Sequence, residues 1–164
     1  MNEIKPLKRS LQLQPLSREH HDGLLFVWKI RQGLTNNTDI EKLRQFVGWF
    51  WENHMRPHFF QEEKILMPWL PDLHPLASKL KSDHNEIREL VISIDKEVDQ
   101  YDLKDLANLV EVHIRWEERE FFQFLESTLS VKELDKVSEE LNQHPVTCQN
   151  EWKDEFWVQK KSDK

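Results

Sequence analysis

Residues 58–63 read HFFQEE and residues 113–118 read HIRWEE. Each stretch sets a histidine four residues ahead of a glutamate and doubles that glutamate. An apolar pair follows, Leu66-Met67 in one case and Phe121-Phe122 in the other. On an α-helix, positions i and i+4 share a face and lie about 6 Å apart along the axis. Each stretch therefore directs an imidazole and a carboxylate to one side. The surroundings are helical too. Only three glycines occur in the chain, and Leu, Glu, Lys, Gln and Trp dominate between the prolines, with apolar positions three and four apart. No stretch alternates with period two between turn residues, so the expected class is all-α.

Working outward, a first helix is expected from Pro15 or Leu16 to near Gly33, with Leu16, His20, Gly23, Val27, Ile30 and Leu34 as one inward stripe. A third helix, Ala77 to Asp99, repeats that stripe as Leu80, His84, Ile87, Val91, Ile94 and Val98. The second helix should run from about Asp39 through HFFQEE to just before Pro68, with room for a kink at Pro57. The fourth should carry HIRWEE to about residue 127. Four long helices with short connections predict an up-down antiparallel four-helix bundle over residues 15–127. Residues 1–14 would be an N-terminal extension. Residues 128–164 would add a short helix, Val131 to Asn142, opened by a Ser130 and Glu133 capping box. Its tail, with Trp152, Phe156 and Trp157, would either cover the bundle or bind a partner.

Any one of these histidines, taken alone, is most simply a core residue satisfied by a carbonyl or a solvated surface group. Glu62 or Glu117 alone would ordinarily belong to a solvated face. The combination differs, because helical spacing aims His20, His58, Glu62, His84, His113 and Glu117 at one interior, where unpaired carboxylates are very costly. A cation removes that cost. Imidazole and carboxylate without thiolate suit iron, manganese or zinc rather than an iron–sulfur cluster. Six side chains exceed one tetrahedral zinc site. They suit two metals with about two histidines each, joined by the two glutamates and a water-derived oxygen.

The succession REHHDGL, HFFQEE, DHNEI, HIRWEE resembles the hemerythrin or HHE cation-binding domain over roughly residues 15–127. The resemblance implies His20, His58, His84 and His113 as terminal ligands of two non-haem iron ions, with Glu62 and Glu117 as bridging carboxylates and manganese or zinc as alternatives. His21 lies off the inward stripe and is expected near the site or at the surface. His54, one turn before His58, is expected to line the cavity as an extra ligand or proton donor. Glu63 and Glu118 face sideways, as partners of the ligands or as surface charges. Oxygen-carrying hemerythrins offer a further histidine four residues after the one matched by His84, where this chain has Arg88. That cation is expected near an anionic bound ligand. The departure makes the centre similar to those of hemerythrin-like repair, nitric-oxide-responsive and iron-sensing proteins.

The expected function is reaction with O2, peroxide or nitric oxide in stress response or iron handling. The alternative is a non-catalytic module that binds or senses oxygen or iron and signals through residues 131–164. A metal-free scaffold would leave the inward carboxylates unexplained. The formal charge of -7, from 30 acidic against 23 basic residues, provides no footprint for nucleic acid. The amino-terminal residues lack the apolar run of a signal peptide, and no segment approaches a membrane span. Cys148 is the only cysteine. A soluble, cytoplasmic protein is the corresponding expectation.

Overall fold

The structure is a computed structural model that describes residues 8–159, and no strand occurs among them. Residues 1–7 of the expected amino-terminal extension and residues 160–164 of the expected tail lie outside the described residues.

Helix α1 spans Gln14–Thr35, with Pro15 in its first turn, where a missing N–H is harmless. It does not stop at Gly33. Asn37 takes the left-handed position at φ 55°, and the Thr38 N–H donates to the Gly33 carbonyl at 3.0 Å while that of Asn37 donates to Leu34 at 3.2 Å. This paired closure ends the helix. Gly33 serves packing instead, since a Cβ there would lie 2.7 Å from Leu43 Cδ2 and 2.8 Å from Phe156 Cε2.

The second helical stretch is built in pieces. Helix α2, Ile40–Phe50, begins at Asp39, whose Oδ1 accepts the Glu41 N–H at 3.0 Å. A π turn follows at Trp51–Met55, then α3 at Arg56–Gln61, a second π turn at Glu62–Leu66, and a 3-10 turn at Met67–Trp69. Pro57 causes no break. The wider turn just ahead of it, closed by the Arg56 N–H on the Trp51 carbonyl, spares it the ordinary clash. Pro68 sits inside the closing 3-10 turn, so the helical path passes the point where it was expected to stop.

Helix α4 spans Pro75–Lys96, capped by His74 Nδ1, which accepts the Leu76 N–H at 3.1 Å. Helix α5, Gln100–Trp116, starts at the Asp99 cap, passes through a third π turn at Glu117–Phe121, and continues as α6, Phe122–Thr128. Helix α7, Val131–Gln143, carries the expected capping box between Ser130 and Glu133.

The contacts run in a ring: α1 packs on α5, α5 on α4, α4 on α2, and α2 on α1. Two apolar clusters fill the interior. One contains Phe26, Ile30, Phe46, Ile87 and Leu106, and the other Leu16, Leu66, Leu80, Phe121 and Val137 of α7. Along α1 and α4 the buried His20 and His84 fall between the two clusters. The tail returns over α1 and α2. Trp152 and Phe156 meet the Phe46 ring at centroid distances of 5.2 and 4.9 Å, and Lys29 Nζ lies 4.0 Å over the Trp157 ring. Among the described residues no helix is long and apolar enough to cross a membrane.

Candidate metal centre

All six candidate ligands come together between the two apolar clusters, and Glu62 and Glu117 are wholly buried, at 0 % exposure. His20 Nε2 lies 3.1 Å from Glu117 Oε2 and 3.6 Å from Glu62 Oε2. His58 Nε2 is 3.3 Å from Glu62 Oε2. His84 Nε2 is 3.1 Å from Glu62 Oε1, and His113 Nε2 touches Glu117 Oε1. Two groups of potential metal-ligating atoms result, each within 4.8 Å: His20 and His58 with both glutamates, and His84 and His113 with the same two glutamates.

The outer ring nitrogens show why these atoms suit a cation. Nδ1 of His20 lies 2.7 Å from Glu118 Oε1, Nδ1 of His58 2.6 Å from Glu19 Oε2, and Nδ1 of His113 3.0 Å from Asp83 Oδ2. A carboxylate only accepts, so each neutral ring carries its proton on Nδ1 and turns the Nε2 lone pair inward. Inside, those lone pairs face carboxylate oxygens. Nε2 of His20, His58 and His113, Oε2 of Glu62 and both oxygens of Glu117 have no hydrogen-bond partner. Acceptors facing acceptors in a dry interior repel one another, and a shared cation relieves them. His84 is turned the same way: its Nε2 lies against Glu62 Oε1, and its Nδ1 stands 3.3 Å from Glu63 Oε2.

Without a cation, protons take its place. Burial drives the imidazoles down, but the charges of Glu62 and Glu117 outweigh it. His58 rises to about 9, His20 and His84 rise well above the ordinary value, and His113 also rises. Burial and the charge of Glu117 push Glu62 up, yet the facing histidines hold it down at about 2. Glu117 is likewise held well below the ordinary carboxylate range against its burial, chiefly by His113.

Each of the two central glutamates opens a π turn. The Met67 N–H donates to the Glu62 carbonyl, and the Phe122 N–H to that of Glu117. The same irregularity thus recurs at the same point of both His-x-x-x-Glu-Glu motifs. The outer carboxylates form a circuit around the helices. Glu19 of α1 meets His58 of α3, Glu63 meets His84 of α4, Asp83 of α4 meets His113 of α5, and Glu118 meets His20 of α1. Glu63 and Glu118 are therefore partners of the histidines. Glu19 and Asp83 escaped the sequence reading. Their signal was the acidic residue directly before each stripe histidine, Glu19-His20 and Asp83-His84.

Three of these carboxylates are held in turn by cations. Arg9 Nη2 lies 3.0 Å from Glu118 Oε2, Lys79 Nζ lies 3.1 Å from Asp83 Oδ2, and Arg88 pairs with Glu63. The Arg88 guanidinium pairs with Glu63 behind His84 and lies over the Phe59 ring, 5.6 Å from its centroid. His21 is exposed. His54 belongs to neither ligating group, but stacks on Phe50 at 5.0 Å and lines a cavity of about 30 Å³ beside His20, His58 and Glu117. Burial lowers its pKa.

An all-helical fold that buries histidines around shared glutamates, each ring backed by a carboxylate, defines a cation-binding helical protein. The hemerythrin HHE cation binding domain matches residues 13–125. The chain belongs to that family. No curated protein and no solved structure gives a significant match to it.

Proposed function

We propose that this chain is an up-down antiparallel four-helix bundle holding two non-haem iron ions, which reacts with or senses O2, peroxide or nitric oxide in stress response or iron handling. The observation that carries the reading is the pair of overlapping ligand groups that share Glu62 and Glu117. Each group provides two imidazoles and two carboxylate oxygens, a donor set matched to iron. We assign His20 and His58 to one ion, His84 and His113 to the other, and both glutamates to the bridge. Bound iron would supply redox chemistry and an exchangeable position for a small ligand. The chain's own part is to fix the rings, exclude water and present the apolar cavity. At about 30 Å³ that cavity admits a diatomic molecule or a water and little more.

Elemental analysis after anaerobic iron loading, with an optical spectrum before and after exposure to oxygen, tests the reading. Two irons per chain and a spectrum that does not return on purging are expected. One metal per chain, or zinc retained over iron, overturns the two-iron assignment. Repeated return to the reduced spectrum would make this an oxygen-binding protein.

The sensing alternative draws support from one contact. Gln61, directly before Glu62, is buried and donates from Nε2 to the His144 carbonyl of the tail at 2.8 Å. Turnover with nitric oxide or peroxide separates the two readings. The free, exposed Cys148 is in keeping with the cytoplasmic setting we propose.

A further inference from the structure

The six candidate ligands are buried, so a metal ion needs a way in. The four outer carboxylates differ in one respect. Glu118, Asp83 and Glu63 are each paired with Arg9, Lys79 or Arg88. Glu19 pairs with His58 alone, and among the described residues no lysine or arginine is bound to it. Three corners of the centre thus carry a lysine or arginine against the outer carboxylate, and the fourth carries none, its partner being His58.

That fourth corner also adjoins the cavity. Glu19, His54 and His58 line it from α1 and the second helical stretch, and Val146 of the tail lines it from outside. Val146 is slung between anchors. Before it, Gln61 holds the His144 carbonyl. After it, Asn53 Oδ1 accepts the Gln149 N–H at 3.2 Å, and Trp49 Nε1 donates to the Asn150 carbonyl at 2.5 Å. Each anchor is a single hydrogen bond, the two after Val146 at exposed atoms and that of Gln61 part-buried, and each contributes little enough to open locally.

From this the geometry points to a loading gate: divalent metal reaches the centre at the Glu19–His58 corner, drawn by the Glu19 carboxylate and admitted when the tail segment carrying Val146 lifts. The inference rests on the metal-centre reading and adds the route and the residues that control it. Glu19 acts as a positioning residue for the incoming ion while its other role, holding His58 Nδ1, survives replacement by glutamine, whose Oε1 still accepts the ring proton.

The test mixes metal-free protein with Co²⁺ in the absence of oxygen and follows its visible absorption, with release read by chelator competition. A unit charge facing a divalent ion across roughly 6 Å of water changes encounter about tenfold. Glu19→Gln should therefore slow uptake by about that factor at low ionic strength, with the difference shrinking in high salt. Glu111→Gln removes an equal charge from a half-buried carboxylate that pairs with Arg31 and lies outside the centre, and its uptake rate should match that of the unaltered chain. Asn53→Ala and Trp49→Phe loosen the strap and should speed uptake and release together while leaving equilibrium affinity in place. Equal uptake by Glu19→Gln and the unaltered chain, or strap variants with unaltered rates, overturns the gate and leaves the metal centre standing. An unaltered chain that binds no Co²⁺ overturns both.

Discussion

Glu118 Oε1 stands 2.7 Å from Nδ1 of His20, a partner 98 residues away in the chain. The contact closes the circuit of carboxylates around the helices, and it makes the orientation of one candidate ligand depend on the doubled glutamate of another helix. Removing such a carboxylate frees the ring and lowers its basicity, a change that commonly costs ten- to a hundredfold in metal affinity. Glu118→Ala should fall within about that range by competition with a chelator of known affinity. It should also leave Arg9 without one of its two acidic partners. Unchanged affinity would show that the circuit is dispensable.

His58→Ala and Glu117→Ala should each lose metal and holoprotein stability together, because the surviving ligands no longer retain the cation that joins them. His21→Ala, at an exposed position of α1, should alter neither. Metal content and thermal melting of the same preparations decide this. Loss of metal from His21→Ala with retention in His20→Ala would place the wrong histidine inside.

In the metal-free chain the titrations set a pH window. His58, raised from 6.5 to about 9, contributes stability that is fully present below pH 6.5 and lost as pH rises through 9. Glu62, lowered from 4.5 to about 2, contributes stability present above pH 4.5 and lost as pH falls through 2. Chelator-treated protein should therefore be most stable between about pH 4.5 and 6.5 and weaken toward pH 9. Urea unfolding across pH 4–10 measures this, and a rise in stability between pH 6.5 and 9 would contradict it.

Metal and protons compete for the same nitrogens. Since His58 is protonated at neutral pH without metal, loading at pH 7 should release protons, and affinity should increase with pH. Calorimetric titration in buffers of different ionisation enthalpy counts those protons. A heat independent of buffer would mean that the histidines were already neutral.

Phe156 is buried against Gly33 and Phe46 at the end of the tail. Phe156→Ala removes a buried ring, for which core sites lose about 3–5 kcal/mol. Here the loss is capped by the cost of detaching the tail alone. Faster amide exchange over residues 144–157, with helices α1, α4 and α5 still protected, is the expected signature. Unchanged exchange in the tail would mean that Phe156 does not anchor it.

The helices were legible because they follow from local rules. A 3.6-residue period places Leu16, His20 and Val27 on one face whatever surrounds them, and Ser130 with Glu133 announces a helix start from side chains three apart. The convergence of six candidate ligands was legible for the same reason: spacing within each helix selects the inward residues, and burying them together narrows the chemistry to a cation. Everything that depends on how one helix is turned against another had to come from the tertiary structure. The partners Glu19 and Asp83 lie one residue off the inward face and reach a histidine only across a helix boundary. Arg88, one turn beyond His84, meets Glu63 because α4 is rotated to bring them together. The π turns at Glu62 and Glu117 exchange regular hydrogen bonds for a wider turn in the assembled fold, a trade that local propensity does not encode. Gly33 could pass for a helix stop in the sequence, and only the approach of Phe156, more than a hundred residues away, reveals the space it leaves.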